Sequence, residues 1–120
     1  MFKIENDLIY LTRGDTAYLT VELEDDEKFN VGDIANLSIK KNLKNETAYS
    51  LHKEIVVSEE KNSLVIKIDP DDTKDMDYGL YYYDIQLKRA SNGDIFTIVT
   101  PDEDNPKPNF KLLKEVTTNE

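Results

Sequence analysis

Apolar and polar positions alternate with a period of two along most of the chain. Ala17, Leu19, Val21 and Leu23 alternate with Tyr18, Thr20 and Glu22, the pattern of a strand with one face in a core and the other in water. The same alternation runs through Ala35, Leu37 and Ile39, then through Leu64, Ile66 and Ile68 with Lys67 outward, and again where Tyr81, Tyr83, Ile85 and Leu87 face Tyr82, Asp84, Gln86 and Lys88. Phe96 and Ile98 continue it, as do Phe110, Leu112 and Val116. These make six strands, with residues 8–11 and 49–57 as less regular seventh and eighth members. Ser91-Asn92-Gly93-Asp94 sits between two apolar runs and predicts a hairpin, because Asn and Gly tolerate positive φ. Residues 69–76 lose the period of two and open on Asp69-Pro70, which predicts one helical turn with Asp69 as N-cap and Pro70 at the first helical position. Residues 100–109, rich in Pro and Asp, read as a mobile loop. Many short strands without helical crossovers predict an all-β fold, an antiparallel two-layer sandwich of about seven to eight strands or a small barrel.

One local spacing favours the sandwich. Asp77-Tyr78-Gly79-Leu80-Tyr81 has the Asp-x-Gly-x-Tyr form and resembles the tyrosine corner at which immunoglobulin-like domains turn a short connection into a strand. Gly79 would relax the bend, and the Tyr81 hydroxyl would bond a backbone group upstream. Tyr83 stands where antibody domains carry their second cysteine, so Tyr83, Ile85 and Leu87 would fill the core centre. A tyrosine-rich strand without a special corner is the alternative.

Composition removes function classes more than it adds them. The 120 residues fit one domain spanning 1–120, with an ordered core from about residue 8 to residue 117. Fifteen Lys and Arg against 25 Asp and Glu give a net charge of −10, which repels nucleic acid and anionic membranes. There is no cysteine, so disulfides, thiolate nucleophiles and Cys-based metal sites are absent. Residues 1–7 contain two acidic residues and no long apolar run, which predicts a chain made and kept in the cytosol without a signal peptide. No apolar stretch approaches the ~20 residues that cross a bilayer.

Candidate chemistry is sparse. His52 is the only histidine, and its neighbours Leu51, Lys53 and Glu54 form no recognisable motif, so a surface or edge-strand position explains it. The acidic groups at residues 25–27, 69–75 and 102–104 raise the question of calcium, but none has the Asp-rich loop with a glycine and a distal Glu that the ion requires. No metal or cofactor is expected. Arg13-Gly14-Asp15 spells an integrin-binding tripeptide, yet its place between two apolar runs predicts a tight turn at Gly14. Glycines at 14, 32, 79 and 93 are too scattered to cradle a phosphate. Among the seven tyrosines, Tyr82 points away from the core face of its strand and is the candidate for a protein contact, with Tyr18 or Tyr10 as a candidate to join it.

Taken in order, Leu11-Thr12-Arg13-Gly14-Asp15-Thr16, Gly32-Asp33 leading into Leu37-Ser38-Ile39-Lys40-Lys41, Ile68-Asp69-Pro70-Asp71-Asp72-Thr73, the run from Gly79 to Leu87 and the closing Glu115-Val116-Thr117 resemble small β-sandwich proteins of bacteriophages that infect Gram-positive hosts. The nearest such group is the N-terminal domain of phage baseplate upper proteins and similar prophage tail or virion proteins. The resemblance covers residues 8–117. It implies a non-enzymatic module that joins the particle body to receptor-binding parts, partnered by other phage structural proteins or by its own copies, and located on the virion. It transfers no catalytic residue. This chain departs from the longer members by stopping at Glu120 with no stalk or receptor-binding extension. A carbohydrate-binding or adhesin-type sandwich is the alternative and would need an exposed aromatic platform without tryptophan. A small hydrolase using acidic residues is a third reading.

Overall fold

The computed structural model describes residues 2–5, 8–24, 26–101 and 106–116, with residues 2–5 described by their backbone alone. The alternating segments form strands: β1 Phe2–Glu5, β2 Leu8–Thr12, β3 Ala17–Glu22, β4 Ile34–Lys40, β5 Leu51–Val56, β6 Ser63–Ile68, β7 Gly79–Lys88, β8 Ile95–Val99 and β9 Phe110–Leu113, with a single helical turn, α1 Pro70–Thr73. The largest sheet runs β1-β2-β9-β7-β4-β5, with β8 also on β7, and faces a two-stranded sheet of β3 and β6. The fold is an all-β sandwich. Its strand order, β9-β7-β4-β5 facing β3-β6, is that of immunoglobulin-like domains.

Two features differ from the sequence expectation. A ninth strand, β1, lies ahead of the expected core start and pairs with β2. The sheets are also not wholly antiparallel, because β2 runs parallel to β9 over Ile9–Phe110 to Thr12–Leu113.

Strand β7 is the spine of the large sheet. One edge pairs with β4 from Tyr82 to Lys88. The other pairs first with β9 at Gly79 to Tyr81 and then with β8 at Ile85 to Lys88, so β8 and β9 are two halves of one partner strand. Between them the residue at the end of the expected loop, Asn109, is buried rather than mobile. Its side chain does the work of a missing strand residue: the Tyr83 N–H donates to Asn109 Oδ1 at 2.8 Å and Asn109 Nδ2 donates to the Tyr83 carbonyl at 3.0 Å. Buried backbone polar groups must find partners, and one amide supplies both.

The core lies between the two sheets, where Ala17, Leu19, Val21, Leu64, Ile66 and Ile68 meet Ala35, Leu37, Ile39, Tyr83, Ile85 and Leu87. The hairpin from β7 to β8 forms, but not as a two-residue turn. Only Gly93 takes a positive φ, +77°, while Asn92 Oδ1 accepts the Asp94 N–H. Val116, expected in the last strand, lies beyond β9 and is fully exposed.

At the start of β7 the Tyr81 hydroxyl donates to the Asp77 carbonyl at 2.6 Å, and Gly79 adopts φ +131°. This is a tyrosine corner: the buried phenol ties the incoming connection to the strand that it enters. The Asp77 side chain takes no part and instead pairs with Lys41 at the surface. Tyr81→Phe leaves the Asp77 carbonyl without its donor, and we expect a loss of about 1 kcal/mol in urea unfolding, with the fold retained.

Candidate interaction face

Most of the charged motifs in the sequence are consumed in holding the sandwich together. Arg13 forms a bidentate pair with Glu115, Nη2 to Oε1 at 2.9 Å and Nε to Oε2 at 3.2 Å, while Nη1 donates to the Met76 carbonyl and the guanidinium lies 4.1 Å from the centre of the Tyr78 ring. The Gly14 N–H donates to Thr73 Oγ1 at 2.9 Å, with Gly14 at φ +84°. Residues from opposite ends of the chain, Arg13 and Glu115, therefore meet at one pole, and the Arg-Gly-Asp tripeptide is a turn whose arginine is already engaged. The hydrogen bonds from Arg13 hold the Glu115 carboxyl below its ordinary range.

The acidic stretch after β6 has its own cation. Lys53 Nζ lies 2.6 Å from Asp72 and 3.3 Å from Asp69. Burial lowers the affinity of this ammonium for its proton, but the hydrogen bonds that it donates to Asp72 and Asp69 outweigh that and raise it. Asp72 also accepts the Asp69 N–H at 2.7 Å, closing the first turn of α1. Among the described residues no group of three His, Asp or Glu side chains is placed to hold a metal ion. Asp25 and residues 102–104 of the other acidic groups lie outside the described residues.

The outward face of β4, β5 and β7 is different. Strand register sets three rows across it: Tyr82 beside Lys40, then Asp84, Ser38 and His52, then Gln86, Asn36 and Glu54. Ser38 Oγ and His52 Nδ1 are 3.0 Å apart, and Tyr49 stacks on the His52 ring at 4.9 Å. Tyr82 is half-buried rather than fully exposed, since Leu43, Tyr49 and Pro101 rise around it to form a groove of about 210 Å³ floored by Ser38, Asp84 and Gln86. No hydrogen bond reaches the Asp84 carboxylate from the described residues. Burial raises its proton affinity, with His52 and Lys40 pulling it part of the way back.

Comparison with known proteins gives no match to this chain, whether with family models, curated proteins or solved structures. The face must therefore be read from its own chemistry. A serine, a histidine and an aspartate stand in one row, but the serine is in the middle. A catalytic triad needs the carboxylate on the imidazole, holding its tautomer, and here Ser38 separates Asp84 from His52. His52 itself is exposed on β5, at the edge of the sheet. The row was hidden in the sequence because its members come from three strands at positions 38, 52 and 84 and align only once the register is known. The alternation along β7 alone already placed Tyr82, Asp84 and Gln86 on a common outward face.

An ionised carboxylate without a hydrogen-bond partner works against folding. Because the folded state binds the Asp84 proton more tightly than the unfolded chain does, the cost is present at neutral pH and fades as pH falls below the ordinary carboxylate range. We therefore expect Asp84→Asn to raise the melting temperature at about pH 7 by a few degrees, with the gain vanishing near pH 3. Thermal melts at both pH values check this. A loss of stability at neutral pH would show that Asp84 makes a favourable contact.

Proposed function

We propose that this chain is a non-enzymatic structural protein of a phage or prophage, a tail, baseplate or virion module that acts through protein–protein contacts and is carried on the particle. The ordered resemblance supports it, and so does the use of Arg13, Thr73 and Glu115 as internal ties rather than as a reactive site. The observation that carries the reading is the groove on the β4, β5 and β7 face, where Tyr49, Tyr82 and Leu43 stand around the Asp84 carboxylate, which takes no hydrogen bond from the described residues. Proteins depart from stabilising choices at functional surfaces, and tyrosine-rich patches are typical of protein interfaces.

The test is incorporation. Peptides of the wild-type chain are expected in purified particles from an induced source strain, and Tyr82→Asp is expected to fold normally but to be lost from them. Full incorporation of Tyr82→Asp would remove this face from the account, and particles lacking the wild-type chain would overturn the reading.

A carbohydrate-binding module is the second reading. The same groove favours it, since two tyrosines stand beside Ser38, Asp84 and Gln86, groups able to bond sugar hydroxyls. Binding on a glycan array that is abolished by Asp84→Asn, together with absence from particles, would select it.

A further inference from the structure

We infer that two copies of this chain pair along strand β8, antiparallel about a twofold axis at Phe96. Among the described residues β8 pairs only with β7, and its other edge has no strand partner among them. Exposed edges are normally blunted by a charge or a proline. The free edge of β5 carries His52, Lys53 and Glu54, and that of β3 or β6 carries Glu22 or Lys67. Strand β8 reads Ile95-Phe96-Thr97-Ile98-Val99 with no charge and no proline.

Its core side is also uncovered at Phe96, whereas Ile98 and Val99 farther along pack against the core. Phe96 stands opposite Leu87 in register and so lies on the face that turns to the core, yet Phe96 is 52% exposed where Leu87 is 1% exposed. The facing sheet has only two strands, β3 and β6. Ile95, on the outward side opposite Lys88, is 60% exposed. The register irregularity between Ile85 and Gln86 ends the regular edge after Thr97, leaving Ile95, Phe96 and Thr97 as the pairing segment.

That segment is self-complementary. With the axis at Phe96, the two phenyl rings meet on the core side and close both open ends of the sandwich. On the outward side each row reads Lys88, Ile95, then Thr97 and Gln86 of the partner copy, and no like charges are opposed. A second copy is the occupant because this uncharged segment matches itself row by row. The segment is short, at the small end of interfaces that hold together, and each chain carries a charge of −10. Dimerisation is therefore concentration-dependent and strengthened by salt, which screens the mutual repulsion.

The inference stands apart from the phage reading, and sedimentation equilibrium of the purified chain tests it. The expected result is a mass rising from 13.9 kDa toward twice that value between micromolar and millimolar concentration, more steeply in higher salt. Phe96→Lys and Phe96→Glu should each stay monomeric with native circular dichroism, and an equimolar mixture of the two should dimerise again, as Lys and Glu then meet on the axis. A wild-type mass fixed at 13.9 kDa, a dimer that persists in both variants, or a mass shift that appears only with another protein would each overturn it.

Discussion

Asp33→Ala is expected to lower stability by about 3–5 kcal/mol, the largest effect of any single side chain outside the apolar core. Asp33 is 1% exposed and sits at the opposite pole from Arg13, at the entry to β4. One oxygen accepts the Asn30 N–H at 2.9 Å and Arg89 Nη1 at 2.7 Å, and the other accepts the Ala90 N–H at 3.0 Å. Arg89 also donates to the Lys28 carbonyl at 2.7 Å, so one carboxylate ties the loop before β4 to the hairpin after β7. Removing it leaves two backbone donors without their acceptor and a largely buried guanidinium with only the Lys28 carbonyl and the more distant Glu27, at 3.4 Å. The melting temperature should fall by roughly 10–20 °C, and urea unfolding checks the free energy. The pH dependence has a definite sign. Burial would raise the Asp33 proton affinity, but the Ala90 and Asn30 N–H groups and Arg89 outweigh it and hold the carboxyl below its ordinary value. Its contribution is thus complete above about pH 4 and is lost as pH falls through the lowered folded-state value. The gap between wild type and Asp33→Ala should close in acid.

Asn109→Ala is the second large effect, with an expected loss of about 2–4 kcal/mol, since it takes from the Tyr83 N–H and C=O the partner that each has in the gap between β8 and β9. Asn109→Asp separates this bridge from mere packing. It keeps an oxygen for the Tyr83 N–H but sets a carboxylate against the Tyr83 carbonyl, where a donor is needed. A loss at neutral pH that recovers as the new carboxyl is protonated, followed by urea unfolding across the acid range, is the expected signature. Equal losses for Ala and Asp at every pH would assign Asn109 a packing role only.

The strands with clean alternation, β3, β4, β6 and β7, were legible because a period of two decides which side chains are buried. The corner was legible too, as Gly79 and Tyr81 lie within one five-residue stretch and each has its own physical task, while the Asp77 side chain has none there. The ends of the large sheet were not. Alternation placed Phe96 inward correctly, but exposure depends on how far the opposite sheet extends, and no local pattern records that. Asn109 hid at the end of a Pro- and Asp-rich stretch, where a polar residue reads as solvent-facing until a broken strand needs it. The parallel pairing of β2 with β9 joins residues about a hundred positions apart and leaves no trace in either segment. On the interaction face Tyr82 was accessible from strand period, whereas Ser38, His52 and Asp84 met only through register. Likewise the tie from Arg13 to Glu115 links two motifs that the sequence offered as separate signals.

The most direct test of the functional account is immunogold electron microscopy of particles released from the induced source strain, with antibody against this chain. Label concentrated at the tail tip, baseplate or another fixed site on the particle is the predicted result. Intact particles without label, with the protein retained in the cells, would contradict a structural role on the virion.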